Sequence, residues 1–347
     1  MYKRKILTLI LLLITAVGGF FTFRFYQVFF FETTTFENES AYVFLPKGAD
    51  ISQVVESLTP LIKSADDFLL AAEKKGYTSR VRSGKYRIER GMNNNEIINT
   101  LRGKGLTVNV VFNNQERLEN LAGRISQQID ADSLNLLNAF QDAAFLTENG
   151  FTLDTALAMY LPNSYQLYWD TTAEEFRDKM RSEYQRFWNQ KRRTQAKALG
   201  LSPQQVITLA AIVQKETVKV DERPRVAGVY LNRLAKRMKL QADPTVIFAL
   251  KQEENDFSKV IKRVLYRDLK IKNPYNTYKY KGLPPGPISM PDLSSIQAVL
   301  NAEKHAYLYF VANPDQPGYH LFAKNLRQHN KNKARYVRWI NAQKLYR

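Results

Sequence analysis

Eighteen consecutive residues without a charge, Ile6–Phe23, follow the basic triplet Lys3-Arg4-Lys5, and apolar character runs on to Phe31 with Arg24 and Gln27 as interruptions. A helix needs about 20 apolar residues to cross the hydrocarbon core of a bilayer. The run has no polar face, which argues against a surface helix of a soluble domain. A removable signal would begin in the same way. However, the run continues through Gly18-Gly19-Phe20-Phe21 without a small-x-small cleavage site, so a retained anchor is expected over 1–31. The basic triplet precedes the span, which predicts a cytoplasmic N-terminus and a single pass, with the rest of the chain outside.

Of the 347 residues, 44% are hydrophobic and 12% aromatic, enough to build sizeable packed cores and too many for a disordered chain. With no cysteine, disulfides and thiolate metal sites are excluded. The net charge is +18; the four cations before Phe31 leave +14 for the outer part. An excess of that size predicts an anionic neighbour or a generally basic, soluble surface. No nucleic-acid-binding motif is visible, and nucleic acid is not expected as a partner.

Beyond the anchor, polar residues 32–40 read as a linker. Ala41–Leu45 reads as a strand, Pro46-Lys47-Gly48 as a turn, and Asp50 or Ser52 as the cap of a helix carrying Ile51, Val54, Val55, Leu58 and Leu61. A second helix is predicted over Ser64–Lys75. The plan then repeats, with strand Gly84–Ile88, a Gly-containing turn, and a helix with Ile97, Ile98 and Leu101. Such units form a compact α/β module, expected over 41–104. Thr107–Phe112 alternates as a strand, and helices are predicted at Leu118–Asp130 and Ser133–Asp142, within a connecting α/β segment over 105–155. The composition changes near 150–160, where a domain boundary is expected. Thr172–Lys191 reads as one amphipathic helix closed by the basic run Lys191-Arg192-Arg193 at its C-terminus.

Ser202-Pro203-Gln204-Gln205 is a helix start with an N-cap, a first-turn proline and a capping box. Val206, Leu209, Ala210 and Val213 share one face of the helix that follows, and Glu216 continues it. A carboxyl at the end of a buried stripe loses water. Desolvation raises its pKa, as a general acid working near neutral pH requires. The plain alternative is a helix-end glutamate paired with Arg223 or Arg225. Asp221 reads as the cap of a helix over Arg223–Arg237, with Val226, Val229, Tyr230 and Leu234 inward. Asp243 reads as an N-cap with Pro244 as the first helical residue. Tyr275–Ile288 joins aromatic and amide side chains to a Pro/Gly turn, a composition suited to the apolar faces and hydroxyls of sugars. The three histidines, His305, His320 and His329, lack metal-ligand spacing, so neither metal nor cofactor is expected. His320 and His329 read as structural.

Several stretches in this order resemble the endolytic murein transglycosylase family, the YceG-like proteins. They are Ile212–Thr217, Arg223–Leu234, Gln241–Val246, Tyr275–Ile288, Tyr309–Ala312, Gly318–Phe322 and His329-Asn330. The resemblance spans roughly 41–335. It implies an α+β fold with a single N-terminal transmembrane helix, a small LysM-like glycan-binding subdomain at 41–104, and a larger mixed α/β catalytic domain at 156–347. It places the catalytic glutamate on Glu216. The chain departs from the family pattern at Gln214, where a second glutamate is usual. Leu161-Pro162-Asn163-Ser164-Tyr165 stands for Phe-Pro-Asp-Thr-Tyr, and Ser289-Met290-Pro291 departs from Asn-Pro-Gly.

On this resemblance, the expected reaction is non-hydrolytic cleavage between N-acetylmuramic acid and N-acetylglucosamine of peptidoglycan strands, leaving a 1,6-anhydro end. Glu216 would act as both acid and base. Gln241, Asp243, Thr245, Asn276 and Tyr278 are the candidates for binding the sugar. The site would face the extracytoplasmic side of the cell membrane, beside the peptidoglycan-synthesising machinery, and would end glycan elongation. Two rivals stay open: a muramidase-type hydrolase using a second carboxylate such as Asp243, and a glycan-binding scaffold without catalysis.

Overall fold

The fold comes from a computed structural model, in which residues 2–342 are described; Met1 and 343–347 lie outside them. By contacts the chain divides into two compact units, 1–110 with 126–132 and 165–172, and 111–125 with 133–164 and 173–347.

The first unit begins with α1 (Tyr2–Phe30), a 29-residue helix long and apolar enough to cross a membrane. Its apolar side chains are exposed along most of its length, while Val28 and Phe29 at its end are buried in the core of the module that follows. Asn94 Nδ2 donates to the Val28 carbonyl at 2.8 Å, and Arg24 pairs with Asp67 at 2.7 Å. The polar stretch after α1 lies along this module: Glu32 bridges to Asn93, and Thr34 to Ile62. β1 (Ser40–Leu45) pairs antiparallel with β2 (Gly84–Glu89), setting Ser40 against Glu89 and Leu45 against Gly84. α2 (Ile51–Leu58), α3 (Ala65–Lys74) and α4 (Asn94–Arg102) cover one face with Val54, Leu58, Phe68, Ile97 and Leu101. The repeated plan of strand, turn and capped helix is present. Asp50 and Asn93 each complete a capping box, with Gln53 and Glu96 returning the bond.

β3 (Thr107–Phe112) pairs with β4 (Asn163–Tyr168). Between them come α5 (Leu118–Ser126), shorter than expected, then α6 (Ser133–Gln141) and α7 (Ala143–Glu148). The single helix expected over Thr172–Lys191 is two: α8 (Ala173–Phe187) and α9 (Gln190–Ala198), the second capped by Asn189. The basic run therefore opens α9. It still serves the C-terminal carbonyls of α8, because Arg192 Nη1 donates to Phe187 O at 2.8 Å and Arg193 Nε to Trp188 O at 2.6 Å.

At the centre of the second unit lies α10 (Pro203–Glu216), with the capping box of Ser202 and Gln205 formed in both directions. Every residue from Val206 to Val213 is buried, so α10 is a core helix on all sides, and the one-faced stripe read from the sequence understates it. α11 (Arg223–Ala235), α12 (Asp243–Glu253) and α13 (Leu293–Leu300) pack around it. β5 (Tyr309–Ala312) and β6 (His320–Ala323) form an antiparallel pair covered by α14 (Leu326–Ala342). The Pro/Gly turn is seated through Gly286, where a Cβ would stand 1.8 Å from the Asp154 carbonyl oxygen. Only glycine permits that approach.

Candidate active site

Glu216 ends α10, and α11 presents Tyr230 to it. The Tyr230 hydroxyl, buried, donates to Glu216 Oε1 at 2.8 Å. Glu216 itself is half-buried, which leaves it a window to solvent. Withdrawal from water pushes its carboxyl up to about 7. The nearby Asp243 charge adds to the rise, while the Tyr230 hydrogen bond, His320 and Arg233 act against it. The pairing with Arg223 or Arg225 is not made. Arg223 donates to Ser294 Oγ at 2.9 Å and lies 3.6 Å from Asp292, and Arg225 binds Glu303 at 2.8 Å.

Asp243 is not the N-cap of α12; that position is Ala242, and Asp243 is the first helical residue. Its exposed carboxylate instead accepts from the Tyr278 hydroxyl at 2.5 Å. Both tyrosines are held above their ordinary titration range by burial and by the neighbouring carboxylates, so both stay protonated donors. Arg233 is buried and forms no ion pair with a carboxylate among the described residues. It donates to the carbonyls of Leu308 at 2.7 Å and Leu240 at 2.7 Å, and to Gln241 Oε1 at 3.3 Å. The exposed Gln241 sits at φ 53°, a left-handed conformation that a non-glycine residue seldom adopts.

Asp243 and Tyr278 thus lie close enough to feel the charge of Glu216, Gln241 joins them through Arg233, and the other two candidates are buried. Thr245 is fully buried, with its hydroxyl engaged by Ala242 O at 2.7 Å and Thr277 Oγ1 at 2.8 Å. Asn276 is fully buried too. Its amide donates to Leu269 O and Ile271 O, and its oxygen accepts from Tyr278 N at 2.9 Å. These two hold the loop that carries Tyr278 and leave no polar group for a ligand.

Gln214, where the resemblance implies a second glutamate, bonds elsewhere. Its Oε1 accepts from Asp292 N at 2.6 Å and Ser295 Oγ at 2.9 Å, at the start of α13. Asp221, read as a helix cap, accepts from the Tyr319 hydroxyl instead, and Glu222 occupies the N-cap position of α11 without a capping bond.

Sequence reasoning missed the partnership of Glu222 with His320. Glu222 is buried and takes two bonds of 2.7 Å from His320, one from its backbone N and one from Nδ1. Phe310 forms T-shaped contacts with both the His320 ring and the Tyr230 ring, which links the pair to Glu216. A glutamate just before an Arg-Pro helix start, and a histidine inside a short alternating strand, were the available signals.

A family model described as the YceG-like family matches residues 43–335. An endolytic murein transglycosylase of Bacillus subtilis (strain 168) is 30% identical over 311 residues, covering 84% of each chain. One from Streptococcus pneumoniae serotype 2 is 26% identical over 358 aligned positions, covering 95% of this chain and 64% of its own. The crystal structure of a yceG-like protein from Listeria monocytogenes matches with a TM-score of 0.56 and 30% identity, over 84% of this chain and 98% of that one. With a family model spanning most of its length, the chain belongs to the YceG-like family.

Proposed function

We propose that this protein is a membrane-anchored endolytic murein transglycosylase. It cuts the bond between N-acetylmuramic acid and N-acetylglucosamine in peptidoglycan strands without water. The observation that carries this reading is Glu216: a half-buried carboxyl raised to about 7 and set among Tyr230, Asp243 and Arg233. A group so placed holds a proton near neutral pH and accepts one back after giving it up.

Glu216 gives its proton to the glycosidic oxygen as the bond from C1 to that oxygen breaks. The acetamido group of the substrate stabilises the positive charge at C1, an exception to the scheme of two enzymic carboxylates. The Glu216 carboxylate then takes the proton of the C6 hydroxyl as O6 closes on C1. The product carries a 1,6-anhydro end, and Glu216 returns protonated with no water consumed. Tyr230 holds the carboxylate between the two steps. Gln241, Asp243 and Tyr278 face the sugar, while Thr245 and Asn276 position the loop beneath them.

In the same reading, α1 spans the membrane with its N-terminus in the cytoplasm, and the chain beyond it lies outside. The module over 41–104 is a LysM-like glycan-binding element, and cleavage ends the growth of nascent strands beside the synthesising complex. The names of the relatives support the substrate class, and the exposed apolar length of α1 supports the anchor.

The test is mass spectrometry of fragments released from purified glycan strands. Ends lighter than a reducing end by one water are expected. Reducing ends would identify a hydrolase in which Asp243 activates water, and an absence of fragments with retained binding to sacculi would identify a scaffold.

A further inference from the structure

One residue before Glu216, Lys215 turns about 100° around α10. Its ammonium meets Glu116 Oε1 at 3.0 Å, and Lys251 of α12 meets Oε2 of the same carboxylate at 2.9 Å. Burial alone would raise Glu116, but the two ammoniums outweigh it and hold the carboxyl below its ordinary range. Two cations on one anion leave the cluster with an excess of one positive charge. Lys251 is the more enclosed of the two, with 13% of its side chain exposed.

A cavity of about 190 Å³ opens against this cluster, with Pro244, Ile247, Phe248 and Ile288 as its other walls. Pro244 follows Asp243 as Lys215 precedes Glu216, so the pocket begins one residue from each carboxylate of the candidate active site. A second cavity of about 240 Å³ shares Glu116 and Phe248 and continues to Phe257, over whose ring the Arg117 guanidinium lies at 4.4 Å. The second cavity is lined in part by Glu119 and Asp154, whereas the other walls of the first are apolar and its polar end carries the excess cation. An excess cation beside apolar surface is stabilised by an anion. Neutral sugar hydroxyls do not call for such a pocket, whereas a carboxylate carried on small alkyl groups matches both of its parts.

We propose that this pocket receives the peptide substituent of the muramic acid beside the bond being cut, with a carboxylate on Lys215 and Lys251 and methyl groups against Ile247, Phe248 and Ile288. The assignment rests on the murein reading above and adds to it a preference for strands that carry their peptides. Glu116 is the residue that positions the two ammoniums.

The experiment uses the full-length protein and one preparation of glycan strands, offered with their peptides and after enzymatic removal of them. The ratio of kcat/KM on the two substrates is the readout. A hydrogen-bonded charge pair sheltered from solvent contributes enough for a preference of about tenfold for the peptide-bearing strands. Lys251→Met, and separately the more exposed Lys215→Met, are expected to bring that ratio close to one, while Lys251→Arg retains it. A wild-type ratio near one, or a preference left intact in both Met variants, overturns the pocket assignment. Release of fragments from neither substrate by the wild type overturns the murein reading itself, and the assignment with it.

Discussion

Glu216 closes α10 and Glu222 stands just before α11, at the two ends of one short connection. Withdrawal from water pushes both carboxyls upward, and it is the largest influence on each. At Glu216 the immediate partner is a neutral hydroxyl, that of Tyr230, and a second carboxylate lies nearby, so the upward pressure prevails. At Glu222 a backbone N–H and an imidazole bind both oxygens, and the carboxyl falls below its ordinary range. Burial supplies the pressure, and the partners decide whether a glutamate keeps its proton. Of the two, only Glu216 also keeps a window to solvent, so it alone combines a held proton with access.

The largest expected effect of breaking this contrast is on activity. On the proposed mechanism Glu216→Gln removes the group that gives and takes the proton, and strand cleavage should fall by roughly 10³-fold with the circular dichroism spectrum unchanged. Stability should move in opposite directions at the two sites. Glu222 is depressed in the fold, so its contribution is present above the unfolded value of 4.5 and is lost as pH falls through the folded value. Glu222→Gln should therefore lower stability at pH 8 by about 2 kcal/mol in denaturant titration. Glu216 is raised, so the wild type loses stability as pH rises from 4.5 through about 7. Glu216→Gln removes that loss and should gain roughly 2 kcal/mol at pH 8.

The smallest effects are shifts of the high-pH limb of kcat/KM, where Glu216 loses its proton. Tyr230→Phe removes a bond that favours the carboxylate, so the limb should move to higher pH. Asp243→Asn removes a like charge and should move it to lower pH. Profiles that move together, or not at all, would show that these two side chains do not set the acidity of Glu216.

The contrast also separates what could be read in the sequence from what could not. Local rules carried far: the capping box of Ser202 and Gln205 and the cap at Asp50 both join side chains to backbone three residues away. The placing of Glu216 at the end of an apolar run needed only helical spacing. The charge logic failed where partners are distant. His320 reaches Glu222 across 98 residues, and Tyr278 reaches Asp243 across 35. Asp221 and Asp243 were read as helix caps because an aspartate before a helix usually is one. Here tyrosines from other segments claim their carboxylates. Thr245 and Asn276 suited a sugar by chemical type, and only burial shows their polar groups to be already engaged. The break between α8 and α9 was hidden because the basic run serves the end of one helix from the start of the next.

The central claim is that Glu216 holds a proton near neutral pH. It is tested most directly by titrating the glutamate carboxyl carbons of the ¹³C-labelled full-length protein by NMR, with Glu216 identified by its absence in Glu216→Gln. A midpoint near 7 is expected; a midpoint at or below the ordinary 4.5 would contradict it.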